Sequence, residues 1–322
     1  MISFSRERKI NISVTNTLLF FVFSALTGAA FFITQSLTNY FTASLNVDAS
    51  YIAGPTSVAK PITAGEASLS PYSRPGDLTI NAKAGIIIET GLGAEKVLFQ
   101  KNTAEKMPVA SLAKLMTAAI VLKNYNVLEK VTVDEGAMAQ EGVQGVLKLG
   151  ETLSVKDLLY ITLMESSNRT AYALSEVMGA EKFVSLMNEK AREIGLSSTH
   201  FEDSTGLSPK SYSTAEDIAK LSEYVFETYP LFREIISLKE FDLYLDNGQF
   251  HHKLINTNKL LAGTPGVIGG KTGWTDEAKG CFMLLQESQK KGTYLIYIVL
   301  GAEDRFLEMK KMINWTNATY HQ

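Results

Sequence analysis

The sequence predicts an α/β domain in which an antiparallel sheet, completed by strands from both ends of the folded region, surrounds a helical insert. Three observations predict it. Short β-rich runs open the region at AGIIIET (84–90) and KVLFQ (96–100), strand patterns return after Gly266, and helical periodicity fills most of the interval. A chain of 322 residues, 45% hydrophobic and 20% charged, holds enough apolar material to bury one large core.

Ahead of that domain, TLLFFVFSALTGAAFFIT (17–34) carries no charge. Extended to residues 14 and 35, it reaches the roughly 20 residues that cross a bilayer core as a helix. Arg6, Arg8 and Lys9 precede it against Glu7 alone, which keeps the N-terminus cytoplasmic and sends the rest outward. Phe31, Phe32 and Ile33 carry the run past the small cluster Gly28-Ala29-Ala30, beyond the roughly 7–15 apolar residues of a cleaved leader. The reading is therefore an uncleaved signal anchor, ahead of a cleaved signal peptide or a buried soluble helix. The segment that follows is rich in Ser, Thr, Ala, Gly and Pro without sustained periodicity and reads as a flexible extracytoplasmic tether. The expected division is a cytoplasmic tip (1–13), a transmembrane helix (14–35), a linker (36–81) and a folded domain (82–318). A mean hydropathy of +0.02 reflects the anchor in large part.

Within the domain, Gly91-Leu92-Gly93 separates the first two β-rich runs and predicts a hairpin. Ser154 with Asp157, and Ser213 with Glu216, resemble capping boxes ahead of LLYITLM and IAKLSEYVF, and Gly195 sits where a helix from Ala180 should stop. GVIGGKTGW, CFMLLQ and TYLIYIVLG read as strands, the last two joined by a polar turn at 288–292, and a final helix runs over about 303–317.

Composition removes several function classes. With 31 Lys+Arg against 34 Asp+Glu, the chain has no basic field for gripping a phosphate backbone, so nucleic acid is not an expected partner. One cysteine excludes an intrachain disulfide and a four-cysteine zinc site, and Cys281, in an apolar strand, reads as an inert core residue. The four histidines form no His-Glu-x-x-His pattern, and adjacent His251 and His252 in a strand should point to opposite faces. Metal hydrolysis is disfavoured.

Chemistry concentrates elsewhere. In PVASLAKLMTAAIVL, Ser111 lies near a helix start and Lys114 three residues on, so an amine can reach the hydroxyl on one helical face. Serine needs a base to become a nucleophile, and lysine is one only where burial or neighbouring cations lower its pKa. Ser-x-x-Lys alone is weak; it recurs at Ser57-Lys60 and Ser288-Lys291, neither ahead of an apolar helix. Ser166-Ser167-Asn168 interrupts an apolar helical stretch, either as a helix cap or as a break that projects polar groups into a cleft. Ser-x-Asn also recurs at Ser44-Asn46. Lys271-Thr272-Gly273 occurs once, in a strand flanked by Gly269 and Gly270, where glycines allow close backbone approach and a lysine and threonine can hold a carboxylate.

These three elements, in this order and in these contexts, resemble the signature of the serine D-alanyl-D-alanine carboxypeptidases, low-molecular-mass penicillin-binding proteins related to serine β-lactamases. The resemblance covers about residues 82–318 and includes LKLGETLSVKDLLYITLMESSN, FEDSTGLSPKSYSTAEDIAKL, NTNKLL and GGKTGWT. It implies a β-lactamase/transpeptidase-like fold. It implies Ser111 as acylated nucleophile, Lys114 as general base and Ser166 as proton relay. Asn168 would bind the substrate amide, and Lys271, Thr272 and Gly273 would receive the terminal carboxylate. The backbone N–H groups of Ser111 and Trp274 would form the oxyanion hole, and Arg305 would assist carboxylate recognition. The implied substrate is a peptidoglycan stem peptide ending in D-Ala-D-Ala, β-lactams are implied covalent inhibitors, and no metal or organic cofactor is required.

Three residues depart from the family pattern: Arg169 follows the Ser-x-Asn element where an acidic residue is frequent, Glu165 precedes it, and Lys279 stands where glycine is usual. The resemblance stops before the extra C-terminal β-domain and amphipathic anchor of many relatives, so the N-terminal helix is expected to serve as the anchor at the cell membrane. Alternatives with the same nucleophile are a D,D-endopeptidase and a β-lactamase. The latter lacks a Glu-x-x-Leu-Asn segment, and with Glu165 a weak substitute, slow release of penicillin is expected. A non-catalytic wall-binding scaffold is the alternative of another class, which paired lysines around a serine argue against.

Overall fold

The computed structural model of the protein describes residues 78–320. The expected tip (1–13), membrane span (14–35) and nearly all of the linker (36–81) lie outside the described residues, as does His321. Among the described residues, no helix is long and apolar enough to cross a membrane.

A five-stranded antiparallel sheet has the order β2-β1-β11-β10-β9. Strands β1 (Ala84–Gly91) and β2 (Ala94–Lys101) form the expected hairpin, while β9 (Val267–Thr275), β10 (Lys279–Glu287) and β11 (Tyr294–Ala302) come from the far end of the chain. The two ends meet where β1 pairs β11, with Ile87 opposite Tyr297. Both faces of this sheet are covered, which is why IIIE and YLIYIVL read as continuous apolar runs rather than as an alternation. Ile86, Ile88, Ile296 and Ile298 face one core with the helical insert; Ile87, Leu295, Tyr297 and Val299 face a second core with Met309, Met312 and Ile313. Ile80 is buried in that second core, so packing starts two residues inside the segment expected as linker.

The insert begins after the two-residue strand β3 (Met107–Pro108) with a 3-10 turn (Ala110–Ala113) that runs into α1 (Lys114–Asn124). Strand β4 (Lys130–Thr132), the short α2 (Glu135–Met138) and β5 (Thr152–Ser154) lead to α3 (Val155–Tyr160). The expected capping box is present there: Asp157 N–H donates to Ser154 Oγ, and Ser154 N–H to the Asp157 carboxylate. A π-turn (Ile161–Glu165) then gives way to α4 (Asn168–Glu176) and α5 (Ala180–Glu193), with Gly195 just past the end as expected. The second capping box is corrected by one residue. Ser213 lies in β6 (Tyr212–Ser213), where its hydroxyl pairs with Thr199, and α6 (Ala215–Thr228) is capped by Thr214, which accepts from Asp217 N–H. Helix α7 (Pro230–Ser237) is followed by a hairpin of β7 (Glu240–Tyr244) and β8 (Phe250–Ile255) that the sequence did not announce. Helix α8 spans Arg305–Tyr320, later by two residues at its start than expected.

Candidate active site

The site forms where the insert meets the edge strand β9. Ser111 enters it from the 3-10 turn, preceded by Ala110 at φ +48°, a left-handed conformation that costs a non-glycine residue on the order of 1–2 kcal/mol. Two glycines let the surrounding backbones close on this residue. A Cβ on Gly206 would lie 1.9 Å from the Ala110 carbonyl oxygen, and one on Gly273 would lie 3.0 Å from the Ser111 nitrogen. Strand β9 therefore runs against the backbone of Ser111 itself.

Lys114 is fully buried, and its Nζ lies 2.9 Å from Ser111 Oγ, 2.7 Å from Asn168 Oδ1 and 2.7 Å from the Thr205 carbonyl oxygen. Burial pushes its pKa down to about 7, opposed by the charge of Asp203. In the free-amine state its two N–H bonds satisfy Asn168 and Thr205, and its lone pair is left for the Ser111 hydroxyl. This arrangement can take a proton from Ser111 with no rearrangement.

The Thr205 carbonyl is presented by a loop built on Asp203. One carboxylate oxygen of Asp203 accepts from the Thr205 N–H and hydroxyl and the Gly206 N–H, each at 2.6 Å, and the other accepts from the Ser208 N–H at 2.9 Å. The Asp-Ser-Thr-Gly string is a turn signal. Its contribution to the site is a main-chain oxygen, which no side-chain motif announces.

The break at 166–168 is both a cap and a projection. Ser166 is left-handed (φ 63°, ψ 30°), Ser167 caps α4 by accepting from Thr170 N–H, and its hydroxyl donates to the Gln144 carbonyl. With Ser167 so engaged, its neighbours turn to the cleft. Ser166 Oγ accepts from Lys271 Nζ at 2.6 Å, while Asn168 accepts from Lys114 and donates through Nδ2 to the Glu141 carbonyl at 2.8 Å. Arg169 points its Nε at the Gln140 carbonyl, 3.5 Å away.

From β9, Lys271 is fully buried and also donates to the Thr272 carbonyl at 2.9 Å. Its pKa is held well below the ordinary lysine value by burial first, then by the charges of Lys114 and Arg305. Thr272 Oγ1 donates to Thr257 Oγ1 at 2.8 Å, a partner from NTNKLL that the sequence reading did not single out. Trp274 is exposed at the rim, with Lys279 Nζ 5.9 Å and the Arg305 guanidinium carbon 6.0 Å from its ring centroid. The buried Nε of half-buried Arg305 has no hydrogen-bond partner, leaving a donor for an incoming acceptor. Lys279 has φ +55°, a backbone state that suits glycine, so its departure from the family pattern is a conformational one.

All nine expected site residues thus converge on one cleft: Ser111, Lys114 and Asn168 in one hydrogen-bonded group, Ser166 and Lys271 in another, with Thr272, Gly273, Trp274 and Arg305 around them. Cys281 is buried with its thiol pushed up to about 11 by burial, consistent with an inert core residue. The adjacent histidines are a correction. A bulge in β8 between the partners of Leu243 and Tyr244 breaks the alternation, and the His251 and His252 rings lie side by side, centroids 4.7 Å apart. Among the described residues no cluster of three or more His, Cys, Asp or Glu side chains is arranged to hold a metal ion.

The chain is 34% identical over 259 residues to D-alanyl-D-alanine carboxypeptidase DacF of Bacillus subtilis, covering 77% of this chain and 65% of DacF. It is 31% identical over 238 residues to the D-alanyl-D-alanine endopeptidase of Escherichia coli, covering 72% of this chain and 76% of that protein. The crystal structure of the Streptomyces K15 DD-transpeptidase superposes with a TM-score of 0.68 at 28% identity, covering 76% of this chain and 99% of that one. A family model described as D-alanyl-D-alanine carboxypeptidase matches residues 71–304. The chain has the antiparallel α/β fold of the penicillin-binding proteins and belongs to the D-alanyl-D-alanine carboxypeptidase family.

Proposed function

We propose that the protein is a serine D-Ala-D-Ala carboxypeptidase acting on peptidoglycan stem peptides. The observation that carries this reading is the buried Lys114 amine, its pKa near neutrality, with Ser111 Oγ 2.9 Å away. Lys114 takes the Ser111 proton as Oγ attacks the carbonyl carbon of the penultimate D-Ala. The tetrahedral oxyanion is held by the backbone N–H groups of Ser111 and Trp274. Collapse breaks the amide bond, the proton held by Lys114 is relayed through Ser166 to the leaving nitrogen, and D-alanine departs. Water, deprotonated by Lys114, then attacks the acyl-enzyme ester, frees the shortened peptide and restores Ser111.

Substrate lies along β9, which ends the sheet and offers an edge for an extended peptide. The terminal carboxylate is received by Lys271, Thr272 and Arg305, with Asn168 on the peptide amide. A carboxylate beside Lys271 restores its charge, since an opposite charge favours the protonated amine. β-Lactams acylate the same serine. Release is slow because Glu165 is hydrogen-bonded to His252 at 3.1 Å rather than free to activate water. The charge-free run at 17–34 supports a single-pass anchor that places the domain outside the cytoplasm, with no cofactor needed.

The test is incubation of the protein with a fluorescent penicillin and, separately, with a pentapeptide ending in D-Ala-D-Ala. Labelling at Ser111, its loss in Ser111→Ala, and release of free D-alanine are expected. Equal labelling of Ser111→Ala, or peptide binding without D-alanine release, defeats the reading; the latter favours a scaffold. A D,D-endopeptidase is the second reading, favoured by the likeness to the E. coli endopeptidase, and a crosslinked dipeptide dimer as substrate separates the two.

A further inference from the structure

The β7-β8 hairpin carries a polar cluster beside the cleft. The bulge in β8 leaves His252 opposite Leu243 and Phe250 opposite Tyr244, with His251 as the extra residue. The two imidazoles meet through their inner nitrogens, Nδ1 to Nδ1 2.5 Å. Each outer nitrogen faces a carboxylate: His251 Nε2 lies 3.2 Å from Glu151 Oε2, and His252 Nε2 lies 3.1 Å from Glu165 Oε2. The four side chains are only 6–15% exposed. Glu151 is further fixed as an acceptor by the Lys148 N–H, 2.6 Å from its other oxygen.

Proton counting makes this chain informative. Ionised carboxylates only accept, so each Nε2 must carry a hydrogen. Two neutral imidazoles would then present two lone pairs to each other across 2.5 Å, which is repulsive. One further proton between them converts the contact into an N–H···N bond. Moving a proton onto either carboxyl group leaves the count unchanged, three protons on four groups with a net charge of −1. The far end of the chain, Glu165, is the last residue of the π-turn and is covalently followed by left-handed Ser166, which accepts from Lys271.

We propose that Glu151, His251, His252 and Glu165 form a proton-holding clamp that positions Ser166, with the two histidines acting through Glu165 as positioning residues, so that acyl transfer at Ser111 depends on the proton they share. The proposal deepens the carboxypeptidase reading and rests on it. Loss of the shared proton sets two lone pairs and two buried carboxylates against one another, and the hairpin loosens from the Ser166 wall. The charged groups facing the pair are Glu151 from the loop before β5 and Glu165 from the π-turn. On the hairpin itself are Lys253 with Glu240 and Asp242, and Asp246, which pairs with Lys130 of β4, while Lys271 stands beyond Ser166.

The experiment follows the second-order rate of acylation by a fluorescent penicillin from about pH 5 to 9, a range spanning imidazole titration, in the full chain and in His252→Gln. A glutamine donates to Glu165 at every pH. His251→Gln, which spares the Glu165 contact, is the second variant should the first fold poorly. Titration of the lysines is common to all three proteins, so the ratio of wild-type to variant rate isolates the cluster. That ratio is expected to change by about fivefold or more across the range, as loss of a charge-assisted hydrogen bond implies. Imidazole 15N NMR of the wild type is expected to show one proton shared between the two inner nitrogens. A pH-independent ratio, or two inner nitrogens with no proton between them, overturns the proposal. Failure of the wild type to label at any pH is instead the failure of the serine reading, and the NMR proton count alone then decides the clamp.

Discussion

Lys114 and Lys271 approach the cleft from opposite walls, both fully buried and both with lowered pKa values, yet their surroundings differ in one respect that separates their chemistry. Lys114 sits among neutral partners, Ser111, Asn168 and the Thr205 carbonyl, with Asp203 partly offsetting its desolvation. Lys271 has basic groups for electrostatic neighbours, Lys114 and Arg305, which add to the effect of burial. The first environment holds an amine near neutrality and suits a base. The second, a pocket of basic groups, suits a bound anion. Two buried lysines are thereby suited to opposite duties by what lies beside them.

The largest effect that can break this comparison is Lys114→Arg. Arginine keeps the charge and cannot lose its proton, so acylation by penicillin should fall by about 10²–10⁴-fold, the usual worth of a general base. The sign of the pH dependence follows from the same amine. The active form is the deprotonated one, so the wild-type rate should climb as pH rises toward about 7, and Lys114→Arg should lose that rise. A variant that retains both rate and rise removes Lys114 from the base role.

Lys271→Ala is the intermediate case. Losing one charged hydrogen bond to the terminal carboxylate should reduce kcat/KM for a D-Ala-D-Ala peptide by about 10–100-fold. If the cationic reading is right, a peptide amidated at its C-terminus should show a much smaller loss. An equal loss for both peptides would make Lys271 a structural partner of Ser166 instead of an anion receptor.

The smallest effect concerns a third lysine whose charge is not at issue. Lys279→Gly relieves a left-handed residue at some entropic cost, a net gain of at most about 1 kcal/mol, which for a domain of this size is a rise of about 2–4 °C in Tm. Acylation should change by less than about twofold, since the Trp274 contact it loses is an exposed cation–π pair. A lower Tm would show that the Lys279 side chain outweighs its backbone strain.

Much of the fold was legible because it is written locally. Gly91-Leu92-Gly93, the Ser154-Asp157 box and Gly195 each act within a few residues, and each element stands where those signals place it. The second capping box slipped by one residue because Ser213 had another use, a bond to Thr199 across β6. The β7-β8 hairpin was missed because its strands are half exposed, and its bulge removes the alternation by which β8 could be recognised. The same bulge made the expectation of opposed histidines fail.

The cleft divides in the same way. Ser-x-x-Lys, Ser-x-Asn and Lys-Thr-Gly are sequence strings, and they name six side chains from three distant stretches of the chain: Lys114 and Asn168 are 54 residues apart, Ser166 and Lys271 are 105. Their partners Thr205 and Thr257 were not named, because a main-chain carbonyl and one threonine hydroxyl among many carry no pattern.

What the amino-acid sequence determined by itself is which reactive groups exist, in what order, and that strands from both ends close one sheet. Tertiary structure alone decided their state. Whether Lys114 is an amine and how far the Lys271 pKa falls both depend on desolvation and on charges brought near by packing. Those are properties of the assembled interior, where a charge's free energy is set by neighbours distant in sequence.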